Sequence, residues 1–503
     1  MTEDVRLSPE AKADIQGFIT SGYGHLPFAE YLFVEIRRLD AAKLWLKDLF
    51  PLVTTSTSWR VQPDAPKVKP QFAVNLAFTF AGLQAFGLSR ESLCSFPPEF
   101  RDGMASAERS RILGDTKESN PNNWELGGHN NPAIHVLLIL HAPSREDMAA
   151  LRVVHRSLIR RFGDGIIEHE GIAQEGERPS HGKEPFGFHD GIAQPDIKGI
   201  NGKGVNTGEF IMGYRNAYNF VSVSPVVTAK EDPRGLLQPL QNPYHAEAGY
   251  RDFGLNGTFV VYRKLQQNVA GFWRFLQSES VRLKNIPDPE FMVWLAAKMV
   301  GRWPSGAPLV LAPLQDDPRI GDSDEFLYAD ADSHGLACPL GAHIRRTNPR
   351  DLVRAAGPRE SLHMTSRHRL LRRGKPYGPD LFDLTVLDHL QDEASLRTII
   401  DIEDDRRSRG MHFFCINTSI KSQFEFVQQA WANNPHFNGL RGNRDPLIGD
   451  NDATGDSSMH VPRHPFSLIT EPLPRFVTVR GGAYFFMPGL RALRFLAEHG
   501  TES

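Results

Sequence analysis

Residues 134–170 read IHVLLILHAPSREDMAALRVVHRSLIRRFGDGIIEHE. The stretch changes period twice. Ile134 to His141 is a compact apolar run, the length of a buried strand and far short of the roughly 20 apolar residues that span a bilayer. Arg145 to Phe162 spaces its apolar residues as a helix does, and Gly165 to Glu170 returns to strand. The same succession continues outward in both directions. Upstream, Phe72 to Leu83 alternates apolar with small or polar positions, then passes into a short helical stretch through Gly87. Downstream, Gly257 to Arg263 begins a strand, Gln267 to Leu276 and Asp288 to Val300 are helical, and Met411 to Ile416 and Phe476 to Val479 are strands. Leu490 to His499 is a closing helix. Ser224 to Gly254, with Pro225, Pro233, Pro239 and Pro243, reads as a long connection, and the polar segment Gly439 to Pro465 as loop.

Strands that return after each helix predict an α+β protein of ferredoxin-like units with antiparallel sheets. They argue against an all-helical bundle. Two halves are the natural parse, residues 1–250 and 251–503. A chain of 503 residues, 40% hydrophobic and 23% charged, has the composition of a soluble globular protein and the size to enclose a cofactor. Lys plus Arg number 57 against 60 Asp plus Glu, so there is no basic excess of the kind nucleic acid rewards. No run is long enough to span a membrane. Met1 to Pro9 is polar and acidic, without the basic and apolar segments of an export signal. Cys94, Cys338 and Cys415 are far apart and form no CxxC pair, which argues against a zinc or iron–sulfur site and suits a reducing compartment. The expectation is a cytoplasmic protein.

Three segments carry candidate chemistry. In the first, Phe186-Gly187-Phe188-His189-Asp190-Gly191-Ile192, a carboxylate stands between glycines, which let backbone approach a flat ligand closely. Taken alone it reads as a turn whose aspartate caps a helix. His189-Asp190 also matches the HD pair of metal phosphohydrolases, but no HExxH or helical HxxxH supplies further ligands. In the second, His343-Ile344-Arg345-Arg346, an imidazole is followed by two guanidinium groups. A lone histidine is usually structural; haem would use both features, the imidazole on iron and a guanidinium on a propionate. The third, Arg369-Leu370-Leu371-Arg372-Arg373-Gly374-Lys375-Pro376-Tyr377-Gly378, taken alone is a strand end with solvated arginines.

In this order the three segments resemble the dye-decolorizing peroxidases. Gly187 to Gly191 matches that family's GxxDG segment, His343 to Arg346 its proximal-histidine segment, and Arg372 to Gly378 its arginine ahead of a Gly-x-Pro-aromatic-Gly turn. The likeness spans nearly the whole chain and takes in Asn75 to Gly82, Trp124 to Gly128, Gly208 to Phe210, Gly301 to Gly306 and Arg480 to Phe486. It implies two ferredoxin-like domains, with one haem b held mainly by the second. It carries over His343 as the iron ligand, Asp190 as the distal acid and Arg372 as the distal arginine, with Arg373 one register step away. Gly187 and Phe413 would stand at the pocket wall. Arg345, in preference to Arg346, would pair with a propionate. The carboxylate expected behind the histidine is Asp445, Glu425 or Asp450.

The activity so implied is reduction of hydrogen peroxide coupled to one-electron oxidation of dyes, phenols or other small aromatic reductants. Asp190 would move the peroxide proton and Arg372 would stabilise charge as the O–O bond breaks. An aspartate in that role implies turnover favoured at acidic pH. Trp124, Trp273, Trp303, Tyr377 and Tyr484 are available by type for passing oxidising equivalents outward. The rival readings are a haem- or iron-handling protein of the same fold, an idle binding module, and the metal phosphohydrolase.

Overall fold

The computed structural model describes residues 7–57, 69–202, 204–240, 249–353, 357–388 and 393–500. The first half contributes strands β1 (Phe28–Ile36), β2 (Ala73–Phe78), β3 (Val136–Ala142), β4 (Ile166–Glu168), β5 (Gln174–Glu177), β6 (Val226–Thr228) and β7 (Tyr250–Asp252). The second contributes β8 (Thr258–Gln267), β9 (Leu371–Arg372), β10 (Lys375–Tyr377), β11 (Gly410–Asn417), β12 (His460–Val461), β13 (Leu468–Ile469) and β14 (Val477–Met487). Ten of these form one antiparallel sheet in the order β10-β11-β8-β14-β2-β3-β1-β4, with β5 also on β1 and β9 also on β11. The protein is therefore α+β, with two ferredoxin-like halves whose sheets join where Phe486 of β14 pairs with Phe78 of β2.

The sheet curls until its ends approach, Gly176 of β5 lying against Lys375 of β10. Every strand in the curl has an inner and an outer face. On β1, Tyr31 and Phe33 point inward while Leu32 and Val34 join the outer core beneath helices such as Arg145–Arg160. On β3, Leu137 and Ile139 point inward and Val136, Leu138 and Leu140 outward. Both faces of β3 are buried, which is why its sequence is an unbroken apolar run.

The strands and helices expected from periodicity are present, with shifted ends. The sequence reading passed over β1, whose apolar pattern is interrupted by Glu30. That carboxylate is buried and ion-paired with Arg152 of the helix above it. The connection from Ser224 to Gly254 is not free of strand: β6 and β7 pair across it, and the division expected after residue 250 falls inside β7. Pro243 and its neighbours 241–248 lie outside the described residues, as do 1–6 of the polar N-terminus. Gly439 to Pro465 is loop except for β12 and a single 3-10 turn at Gly455–Ser457.

Candidate functional site

A cavity of about 310 Å³ lies against the outer face of β8, β11 and β14. Volume alone does not single it out, since a bowl of about 530 Å³ lies beside it; the lining does. Leu265, Phe413, Phe424, Val427, Leu447 and Val477 make its walls apolar, and His343, Asp190 and Arg372 face it.

His343 opens the helix His343–Thr347. Its Nδ1 lies 3.0 and 3.2 Å from the two carboxylate oxygens of Asp445. Asp445 is fully buried, and its Oδ1 also accepts the backbone N–H groups of Leu447 and Ile448 at 2.9 and 3.0 Å. Burial alone would raise this carboxyl, but the imidazole, the Ile448 amide and the Arg346 guanidinium together hold it below its ordinary value. An ionised carboxylate on Nδ1 places the ring proton there, so Nε2 carries a lone pair. Of the other two candidate carboxylates, Glu425 is paired with Arg109 and the Tyr484 hydroxyl, and Asp450 with Arg444.

Asp190 and Arg372 line the same cavity as His343. The backbone N–H of Asp190 donates to Gly182 O at 2.9 Å, and that of His189 to Pro304 O at 3.0 Å, which pins the loop. Arg372 is tied to the same loop: its backbone N–H donates to Gln194 Oε1 and its Nη2 to Ile192 O, both at 2.9 Å. Arg373 turns to the other side of the strand, donating to the carbonyls of Phe18 and Ile19. Asp190, Arg372, Gly191, Met411 and Phe413 also line a second cavity of about 260 Å³, so this wall separates two chambers.

Two expected pocket residues stand elsewhere. Arg345 does not line the cavity; its guanidinium is buried on Asp332 at 3.0 Å and on the Cys338 and Asp332 carbonyls. Arg346 is likewise spent on the carbonyls of Trp431, Asn434 and Asn443. Gly187 is also outside the lining: it has φ +104°, and a Cβ there would overlap Leu387. The glycine on the cavity wall is Gly191, with φ +87° and open space where a Cβ would project.

Sequence reasoning missed two lining residues. The guanidinium of Arg369 lines the cavity with no hydrogen bond or ion pair among the described residues, and burial lowers it to about 10. Glu184 accepts the backbone N–H groups of Phe186 and Phe188, both at 3.1 Å, and the Gln267 amide at 2.6 Å. Burial outweighs these bonds and pushes its carboxyl up to about 7. Only the position of Arg369, three residues before Arg372, hinted at its place; nothing in the sequence marked Glu184. Trp124, Trp273, Trp303 and Tyr484 are buried and Tyr377 is half-buried. Among the described residues no group of His, Cys, Asp and Glu forms a metal-binding cluster, so His189-Asp190 is not part of one. No described helix is long and apolar enough to cross a membrane.

The family model described as the DyP dimeric alpha+beta barrel domain matches residues 14–168. The chain is 29% identical to the dye-decolorizing peroxidase of Exidia glandulosa, over 98% of this chain and 88% of that protein. It is 27% identical to the dye-decolorizing peroxidase msp1 of Mycetinis scorodonius, over 96% and 86%. Among solved structures, an ancestral D-type dye decolorizing peroxidase superposes with a TM-score of 0.72 at 29% identity, over 96% of this chain and 98% of that one.

Proposed function

Because the chain belongs to the dye-decolorizing peroxidase family, we propose that its cavity holds one haem b, ligated through Nε2 of His343. In this reading the protein reduces hydrogen peroxide while oxidising dyes, phenols and other small aromatic reductants. The observation that carries the reading is a carboxylate-backed imidazole lining one largely apolar cavity together with an aspartate and an arginine. The donor set fits haem. A neutral imidazole with a carboxylate behind it is a strong iron ligand. The apolar walls suit a porphyrin. Arg369, desolvated and in no direct ion pair, suits a propionate and takes the part first expected of Arg345.

What haem supplies when bound is the redox chemistry, a two-electron reduction of peroxide followed by two one-electron oxidations of reductant. The rest is done by side chains. Asp445 holds His343 in one tautomer and one orientation. Asp190 takes the proton from one peroxide oxygen and returns it to the oxygen that leaves as water. Arg372, fixed by Ile192 O and Gln194, donates hydrogen bonds to the oxygen on which negative charge develops. Phe413 and Met411 stand in the wall that the two chambers share. The division into units 1–250 and 251–503 is kept as a reading, supported by the segregation of β1–β5 from β8–β14 in the sheet. Three free thiols support a reducing compartment, the cytoplasm. Haem or iron handling is not favoured, since the relatives above are named as peroxidases.

The test is an absorbance titration with haem, then with one equivalent of peroxide. Wild type is expected to give a Soret band that shifts on peroxide addition, His343→Ala to lose or alter it, and Asp445→Asn to hold haem about 10- to 100-fold more weakly. A band and peroxide response unchanged in His343→Ala would overturn the ligand assignment.

A further inference from the structure

The inner face of the curled sheet, behind the cavity, contains polar aromatic side chains where aliphatic ones would pack. Tyr31, Tyr262 and His412 are all fully buried there. The Tyr31 ring lies 5.1 Å from His412 and 6.2 Å from Tyr262. Strand alternation couples this cluster to the cavity. β8 turns Arg263 and Leu265 to the cavity and Tyr262 inward, and β11 turns Met411 and Phe413 to the cavity and His412 inward. One thickness of sheet separates the two.

The hydrogen bonds fix the protons. His412 Nε2 lies 3.1 Å from Glu175 O, and its Nδ1 lies 3.1 Å from the Tyr262 hydroxyl. A carbonyl only accepts, so Nε2 carries the ring proton and Nδ1 is the lone-pair side that accepts from Tyr262. Burial lowers His412 to about 3 and holds the Tyr262 hydroxyl far above its ordinary value, so the pair rests as neutral phenol and neutral imidazole. An oxidised phenol is a far stronger acid than a phenol, and a positioned imidazole takes its proton at once.

Resting on the peroxidase reading, we propose that Tyr262 and His412 are a proton-coupled redox pair that stores an oxidising equivalent left in the cavity when reductant is scarce. Tyr262 gives one electron to the oxidised centre. Its O–H bond breaks and the proton goes to Nδ1 of His412. The products are a neutral tyrosyl radical and an imidazolium whose Nε2–H stays on the Glu175 carbonyl. One electron from the aromatic reductant and the proton returned from Nδ1 restore the pair. The store lies behind the sheet, away from the oxidisable Met411 in the cavity wall.

Haem-loaded protein is mixed with one equivalent of peroxide without reductant, freeze-quenched and read by electron paramagnetic resonance. A tyrosyl signal is expected in wild type and in Tyr377→Phe, whose ring lies 4.7 Å from His412. The signal is expected to be lost in Tyr262→Phe and diminished in His412→Gln, which can accept a hydrogen bond but cannot take the proton. A normal Soret response to peroxide in each variant shows that fold and cofactor site survive. A signal unchanged in Tyr262→Phe, or lost only in Tyr377→Phe, overturns the pair alone. No Soret response in wild type overturns the peroxidase reading and the pair with it.

Discussion

Asp445, buried behind His343, and Glu184, on the cavity wall, are two carboxylates with opposite fates. Asp445 has an imidazole and backbone amides as partners and is held below its ordinary value. Glu184 has amide donors but no cation, and burial pushes it up to about 7. In the unfolded chain a glutamate titrates near 4.5, so between that value and about 7 the folded state holds a proton the unfolded state has lost. The stability contributed by Glu184 is therefore full below about 4.5 and falls as pH rises through 7, by about 3 kcal/mol in all. Thermal unfolding of wild type and Glu184→Gln at intervals from about pH 5 to pH 8 is expected to show this fall in wild type and a flatter profile in the variant; equal slopes would remove Glu184 as its source. That His343, Asp190 and Arg372 share one cavity was legible because their segments resemble a family's in a recognisable order. Arg369 and Glu184 were not, because a guanidinium in no direct ion pair and a carboxyl without a cation are defined by what surrounds them. Arg345 misled for the same reason: the sequence places it beside His343, but only the fold puts Asp332 within its reach.

Unbroken periodicity was legible, in the three-residue β4 as in longer elements, and broken periodicity was not, as the nine-residue β1 with its buried Glu30 shows. Strand β11 and the helix Arg145–Arg160 announce their periods, whereas β9 and β10, two and three residues long, cannot. The helical segment Lys421–Glu425 and Val427–Ala432 has wide turns, Glu425 N bonding to Ile420 O and Asn433 N to Gln428 O, and it sets Phe424, Val427 and Gln428 on the cavity wall. No sequence period marks such turns. Two glycine segments noted in the sequence prove to be one contact. Glu125 N donates to Arg480 O at 2.6 Å, and a Cβ on Gly127 would overlap the Gly482 carbonyl. Gly301 does comparable work nearer the site. It ends the helix Pro289–Val300 at φ +101°, and a Cβ there would overlap Ile344, the second residue of the helix that carries His343. Gly301→Ala combines a disfavoured backbone with that overlap. It is expected to destabilise the fold by more than about 1 kcal/mol and to speed haem dissociation, read by thermal unfolding and by transfer to a haem acceptor. Unchanged dissociation would mean that the helix of His343 is positioned from elsewhere.

Across the whole molecule, the two halves share one sheet and one site. Gln16 clips them together: its Nε2 donates to Leu76 O of β2 at 2.9 Å and to Pro488 O, just beyond β14, at 3.0 Å. The inner face of the curl is mutual, with Tyr31 of β1 4.9 Å from Phe414 of β11 and Phe33 5.7 Å from Tyr262 of β8. The cavity is mutual too: Asp115 pairs with Arg263 and Arg109 with Glu425 across the halves, and Asp190 comes from one half and His343 from the other. The parse into two halves foretold repetition of pattern but not this closure, because pairing across the single residue pair Phe486 and Phe78 leaves no periodic trace. Pulling the halves apart would bare the inner face of both, so neither keeps its core alone, and cooperative unfolding follows. Trp45 reports the first half and Trp273 the second, both fully buried. Single-tryptophan variants retaining one or the other, unfolded in urea, are expected to give coincident midpoints and slopes. A Trp45 transition well separated from that of Trp273 would mean that one half stands without the other, and that the haem site, which needs both, forms only when they dock.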